Sequence, residues 1–126
     1  MDSKDTPFSF KNMQLKVIEN IKEDILDRLK ESLFDLKVEY SRILMFGSRA
    51  RGDFNEYSDW DFMIIVKEPL DPKNRKELWF SIYKKMHIYF PFISFDIILK
   101  DAESFEEEKN IVNTISNEVY LEGVEA

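Results

Sequence analysis

The sequence predicts an α/β domain in which one β-sheet is flanked by helices, and three observations lead to this prediction. Short apolar runs alternate along the chain with longer segments of helical periodicity. Hydrophobic residues make up 44% of the chain and charged residues 34%, a balance typical of a globular domain. The prolines, at positions 7, 69, 72 and 91, all fall between the periodic segments. A length of 126 residues suits a single domain over residues 1–126.

The individual elements follow from these periodicities. From Ser9 to Lys37, apolar residues recur at spacings of three, four and seven, which predicts a long amphipathic helix. The stripe consists of Leu15, Ile18, Ile25, Leu29, Leu33 and Leu36. The later elements are predicted as a strand at Arg42–Phe46, a strand at Asp59–Val66, a helix over 73–89, a strand at Ile93–Lys100, a helix that Asp101 caps and a helix over 111–119.

Composition and charge exclude several classes of protein. The chain has no cysteine and one histidine, which excludes disulfide frameworks, thiolate nucleophiles, zinc ribbons and multi-histidine metal centres. A net charge of −7 argues against nucleic acids and anionic membranes as partners. No apolar run approaches the ~20 residues of a membrane span, and the first residues are too polar for a secretory signal. We therefore expect a cytoplasmic domain whose chemistry uses carboxylates, hydroxyls and basic side chains.

A glycine-containing loop directly follows the first predicted strand, with the sequence Gly-Ser-Arg-Ala-Arg-Gly. Gly47 allows the backbone to approach a ligand closely, and free amides at the start of a following helix favour an anion. Ser48 adds a hydroxyl, while Arg49 and Arg51 add positive charge to an acidic chain. The alternative interpretation is an ordinary turn between a strand and a helix.

Two aspartates open the second predicted strand, as Asp59-Trp60-Asp61. Because residues i and i+2 of a strand point to one face, the two carboxylates lie side by side and repel each other. A cation or a proton must compensate that repulsion, and oxygen ligands of this kind suit Mg²⁺. The alternative interpretation is a pair of exposed aspartates at the start of a strand.

A third aspartate, Asp96, stands within the apolar third strand. Burying its charge without a partner costs several kcal/mol, which favours a functional role. If this strand lies beside the second one, three carboxylates share one face. A salt bridge to a lysine or arginine is the structural alternative.

These residues together resemble the signature of the minimal nucleotidyltransferase family of the polymerase β superfamily. Gly47-Ser48 is followed by ten residues, by Asp59-x-Asp61 and then by the lone Asp96 on a later strand. The resemblance covers residues 42–100 and implies a single polymerase β-like domain with a mixed sheet. Trp60 and Phe62 are aromatic, whereas smaller aliphatic residues are frequent at these positions in the family.

The resemblance also implies the parts of a mechanism. Ser48 and the amides near Gly47 would hold the terminal phosphates of ATP, with Arg49 and Arg51 as helpers. Asp59 and Asp61 would bridge two Mg²⁺ ions. Asp96 would complete the shell of one ion and assist the deprotonation of the attacking hydroxyl.

Small stand-alone members of this family resemble antitoxins that transfer AMP to a tyrosine of a HEPN-family ribonuclease toxin, so the resemblance implies such a toxin as partner. One alternative is an antibiotic-type transferase acting on small hydroxyl compounds, which usually needs an added helical domain that this sequence lacks. A second alternative is a catalytically silent module that neutralises its partner by contact. The presence of all three motif carboxylates argues against a silent module.

Overall fold

The computed structural model describes residues 10–126, and contains nine helices and strands within that range. In chain order they are α1 (Phe10–Asp35), β1 (Tyr40–Phe46), α2 (Gly47–Arg51), β2 (Trp60–Val66), α3 (Pro72–Tyr89), β3 (Phe95–Asp101), α4 (Ala102–Glu108), α5 (Ile115–Glu122) and β4 (Val124–Glu125). Pro7, the predicted helix start at Ser9 and the side chain of Leu15 lie outside the described part of the chain. The predicted α/β class is confirmed.

The four strands form one mixed sheet in the order β3-β2-β1-β4. β1 pairs antiparallel with β2 and with the short β4, whereas β2 and β3 run parallel. The end of β1 and the starts of β2 and β3 therefore meet at one edge of the sheet. All the predicted site residues lie at or close to this edge.

Apolar side chains fill both faces of the sheet, because successive residues of each strand point in opposite directions. On one face, Trp60, Phe62 and Ile64 of β2 pack against α1 and α3. On the other face, Met63 and Ile65 pack with α4 and α5. Asp61 shares this second face, so its carboxylate continues a row that is otherwise part of the core.

Local hydrogen bonds explain where the helices depart from the predicted boundaries. α1 ends at Asp35 because Lys37 takes a left-handed conformation with φ of 58°, and the amide of Val38 bonds the carbonyl oxygen of Leu33 at 2.9 Å. The last helix begins at Ile115 rather than at 111 because the Thr114 hydroxyl accepts the Asn117 amide at 3.0 Å.

Other elements match the sequence analysis or extend it. The Asp101 carboxylate caps α4 as predicted, accepting the Ser104 amide at 2.8 Å. The third strand begins at Phe95, two residues later than predicted. β4 was not predicted, since two residues carry no periodicity. No helix among residues 10–126 has the length and apolar character needed to cross a membrane.

Candidate active site

Strand register brings the predicted acidic residues together at one edge of the sheet. Asp61 lies opposite Phe46 of β1 on one side and opposite Asp96 of β3 on the other. Asp59 is exposed and precedes β2 by one residue, on the same face as Asp61. We call this end of the sheet, formed by Gly47, Asp59, Asp61 and Asp96, the carboxylate edge.

Asp96 is placed differently from the expectation in one respect. The sequence suggested a charge buried within an apolar strand, but Asp96 is the second residue of β3 and its side chain is exposed. Its strand begins only one residue earlier, so the carboxylate lies at the end of the sheet. The exposed position leaves it open to a ligand.

Gly47 is required at its position for two reasons. Its φ of +73° lies in the left-handed region, where a residue with a side chain is sterically unfavourable. A Cβ there would overlap the Oδ2 atom of Asp61 and lie 3.0 Å from its Cγ atom. The absence of a side chain therefore lets the first turn of α2 stand directly against the Asp61 carboxylate.

α2 presents the loop amides at this edge. It starts at Gly47, and its N-cap residue Phe46 supplies no side-chain bond to the amides of the first turn. Ser48 follows, half-buried, and its carbonyl oxygen accepts the amide of Gly52 at 2.9 Å, which closes the helix. The sequence-predicted pair of Gly47 and Ser48 thus lies beside the carboxylates, where an anion could bind amides and hydroxyl.

The electrostatics of the edge are strongly unfavourable to charge on Asp61. Partial burial, followed by the negative charges of Asp96 and Asp59, raises the pKa of Asp61 to about 6. Glu118 on α5 adds a further negative charge near it, and sequence analysis did not single this residue out. A divalent cation would relieve this repulsion.

The donor set fits magnesium. Among the described residues, no group of three or more acidic or histidine side chains is placed to hold a metal ion without further ligands. Mg²⁺ typically takes one or two carboxylates and completes its octahedral shell with water and substrate phosphates, so an open arrangement of carboxylates suits it. Asp59, Asp61 and Asp96 are the residues that would hold it.

The contacts of Arg49 do not support its predicted role at the phosphates. Its guanidinium donates to the carbonyl oxygen of Ser58 at 3.1 and 3.3 Å and to that of Asn55 at 3.3 Å. It also lies over the rings of Phe54 and Trp60, at 4.8 and 4.2 Å from the ring centroids. Because Ser58 immediately precedes Asp59, Arg49 fixes the loop that delivers the first carboxylate.

Arg51 likewise has protein partners. It bonds Glu122 of α5 at 3.2 Å and lies 3.4 Å from Asp53. The pair with Glu122 ties α2 to α5, beside the carboxylate edge. Sequence analysis missed both acids. Glu122 lies 71 positions from Arg51 along the chain, so no local pattern indicates their contact.

Comparisons with known proteins find a matching family and two similar proteins. The family description "Nucleotidyltransferase domain" matches residues 18–125. A protein of Methanocaldococcus jannaschii named as a candidate protein adenylyltransferase is 32% identical over 111 residues, which covers 88% of this chain and 96% of the relative. A second M. jannaschii protein named in the same way is 38% identical over 63 residues, covering 50% of this chain and 40% of the relative.

Solved structures show a similar fold. A crystal structure of a candidate nucleotidyltransferase from Sulfolobus solfataricus gives a TM-score of 0.52 at 22% identity, covering 96% of this chain and 88% of that chain. A structure described as a toxin–antitoxin with AMP-PNP gives a TM-score of 0.50 at 22% identity, covering 79% of this chain and 69% of that chain. At this identity the likeness shows the fold.

Replacing Asp61 with asparagine should raise stability and abolish nucleotidyl transfer. The pKa of Asp61 is about 6 in the folded state and 3.8 ordinarily, so ionisation destabilises the fold progressively between these values and fully above pH 6. We expect Asp61→Asn to melt a few degrees higher at pH 8, with the difference shrinking as pH falls from 6 to 4. Melting temperatures of both proteins, measured at pH values from about 4 to 8, check the expected stability difference.

The matched control for this variant is Asp24→Asn, an exposed aspartate on α1. It should change neither the melting temperature nor the transfer activity. An Asp61→Asn protein that retained full transfer activity, or that melted lower than wild type at pH 8, would contradict the site described here.

Replacing Arg49 with lysine separates the positioning role from a phosphate-binding role. Lysine keeps the charge but loses the planar donor set and the stacking between two rings, which we expect to cost about 1–2 kcal/mol of stability. The Mg²⁺ concentration for half-maximal transfer should rise about ten-fold because Asp59 loses its support. Arg42→Lys, on a surface pair with Glu125, is the control. A Mg²⁺ requirement unchanged in Arg49→Lys, with a raised KM for ATP, would restore the phosphate role.

Proposed function

The chain belongs to the nucleotidyltransferase domain family, and we propose that it is a magnesium-dependent protein adenylyltransferase that transfers AMP from ATP to a tyrosine hydroxyl of a HEPN-type ribonuclease toxin. The observation that carries the proposal is that strand register sets Asp61 beside Asp96, that Gly47 lies against Asp61, and that Asp59 directly precedes the same strand. The M. jannaschii relative that this chain matches over 96% of its length is named as a candidate protein adenylyltransferase, which supports a protein as the acceptor. The toxin–antitoxin of similar fold, solved with AMP-PNP, supports ATP and a toxin partner.

The nucleotide is held by the first turn of α2. The backbone amides that follow Gly47 and the hydroxyl of Ser48 bind the terminal phosphates, because these N–H and O–H groups donate hydrogen bonds to phosphate oxygens. Asp59 and Asp61 would hold two Mg²⁺ ions, which would neutralise the triphosphate and stabilise charge on the transferring phosphoryl group. The Gly47 backbone can lie against the Asp61 carboxylate because glycine has no side chain between them.

The acceptor hydroxyl enters from the side of β3. Asp96 is exposed at the start of that strand, in register with Asp61, and accepts the hydroxyl proton. The hydroxyl oxygen forms a bond to the α-phosphorus, while the bond from this phosphorus to the bridging oxygen of the β-phosphate breaks. Pyrophosphate leaves with the electron pair of that bond, and AMP stays on the acceptor.

The charge of the chain favours a basic protein as acceptor. With 25 acidic against 18 basic residues, the chain attracts a positively charged partner and repels a long RNA. A ribonuclease toxin binds RNA and carries the basic surface that such a partner needs.

The experiment is intact-mass analysis of a HEPN-type toxin after incubation with this chain, ATP and Mg²⁺. We expect the toxin mass to increase in steps of one AMP, with peptide mapping placing the addition on a tyrosine. Asp96→Asn should abolish the increase, and Asp24→Asn should leave it unchanged.

Two other outcomes would contradict the proposal. A toxin that is inhibited but keeps its mass would identify a module that acts by contact alone. A chain that leaves proteins unmodified but transfers AMP to an aminoglycoside would identify a small-molecule transferase.

A further inference from the structure

A groove of about 910 Å³ opens beside the carboxylate edge, against the face of the sheet that α1 covers. Its walls are mainly apolar and aromatic side chains from α1, from the first residue of β2 and from the loops that precede β2 and β3. They include Ile18, Ile21, Phe54, Tyr57, Trp60 and Phe92. We call it the aromatic groove.

The aromatic groove and the carboxylate edge share the same two loops. Ser58 lines the groove and directly precedes Asp59, while Ser94 lines it and lies two residues before Asp96. Arg49 also lines the groove and bonds the Ser58 carbonyl oxygen. A molecule held in the groove therefore contacts the same two loops that lead into Asp59 and Asp96.

Two large aromatic side chains stand at the groove with almost their whole surface in water. Tyr57 is 84% exposed and Phe92 is 99% exposed. Neither belongs to the hydrophobic core that holds the sheet and helices together. Exposed aromatic side chains around an apolar groove mark a surface for interaction with another molecule.

The charged residues around the aromatic groove determine which kind of molecule it can bind. Glu56 lines the groove, and Asp53 and Asp59 are exposed in the same loop. Among the described lining residues the cation is Arg49, whose N–H groups are already bonded to carbonyl oxygens of the loop. A phosphate-bearing ligand meets repulsion here, and so does a second copy of a chain with a net charge of −7. A protein with a basic surface and a protruding apolar side chain is complementary to this groove.

We propose that the aromatic groove is the docking site of the acceptor protein, which packs an apolar side chain against Tyr57 and Phe92 and faces Glu56 with basic residues. This inference rests on the proposed function and adds the surface that positions the acceptor. Docking there delivers the acceptor hydroxyl to the carboxylate edge from a fixed distance, which raises its effective concentration at the α-phosphate.

The test is the affinity of the chain for the HEPN-type toxin, measured by calorimetry without nucleotide. Buried aromatic anchors dominate protein interfaces, so we expect Tyr57→Ala and Phe92→Ala each to weaken binding by at least about ten-fold. Phe34→Ala is the matched control, since Phe34 is 83% exposed and lies outside the groove. The control should bind as wild type. Because a ligand that binds the folded state raises its stability, Mg²⁺ and ATP should raise the melting temperature of all three variants as much as that of wild type.

The outcomes separate this inference from the proposed function. If wild type adenylylates the toxin while Tyr57→Ala and Phe92→Ala bind it with unchanged affinity, the function stands and the groove is not the docking site. If wild type neither binds nor modifies the toxin, the proposed function fails. A lysine-rich peptide with one central leucine then tests the groove alone: binding that Phe92→Ala removes supports a basic protein ligand. No binding of the peptide, or preferential binding of an oligouridylate, overturns the inference.

Discussion

The parallel pairing of β2 with β3, which sets Asp61 beside Asp96, is the constraint on which the site depends. A slip of one residue in this register would turn Asp96 to the opposite face of the sheet and place an apolar neighbour beside Asp61. The register is held by the core, because the residues that alternate with the two aspartates pack on the α1 and α3 face. Core packing therefore determines the geometry of the carboxylates.

The arrangement exchanges stability for function at one residue. Asp61 sits between two strands, against the backbone of Gly47 and near three other carboxylates, which raises its pKa to about 6. A protein free to optimise stability would place a neutral side chain there. In the proposed function, the same repulsion would favour binding of a divalent cation, so the cost in the free protein would become affinity for Mg²⁺ and its nucleotide. Arg49 supports the arrangement from the other face by holding the loop before Asp59.

The sequence was most informative where chemistry and periodicity act locally. Strand alternation placed Asp59 and Asp61 on one face, and the Gly47 position could be inferred from its place at the end of an apolar run. The role of Arg49 could not be inferred, because a cation beside glycines looks the same whether it faces a phosphate or two aromatic rings. The contact of Arg51 with Glu122, across 71 positions, and the two-residue β4 arise from tertiary packing that no local pattern encodes.

We propose that Asp59, Asp61 and Asp96 together hold the metal-bound nucleotide. The decisive experiment is anomalous diffraction from crystals grown with Mn²⁺ and a non-hydrolysable ATP analogue. Manganese peaks should lie in direct contact with the carboxylates of Asp59 and Asp61, one of them also contacting Asp96, with the terminal phosphates on the first turn of α2. Manganese bound by the nucleotide alone, or a nucleotide seated away from the carboxylate edge, would show that these carboxylates do not form the site.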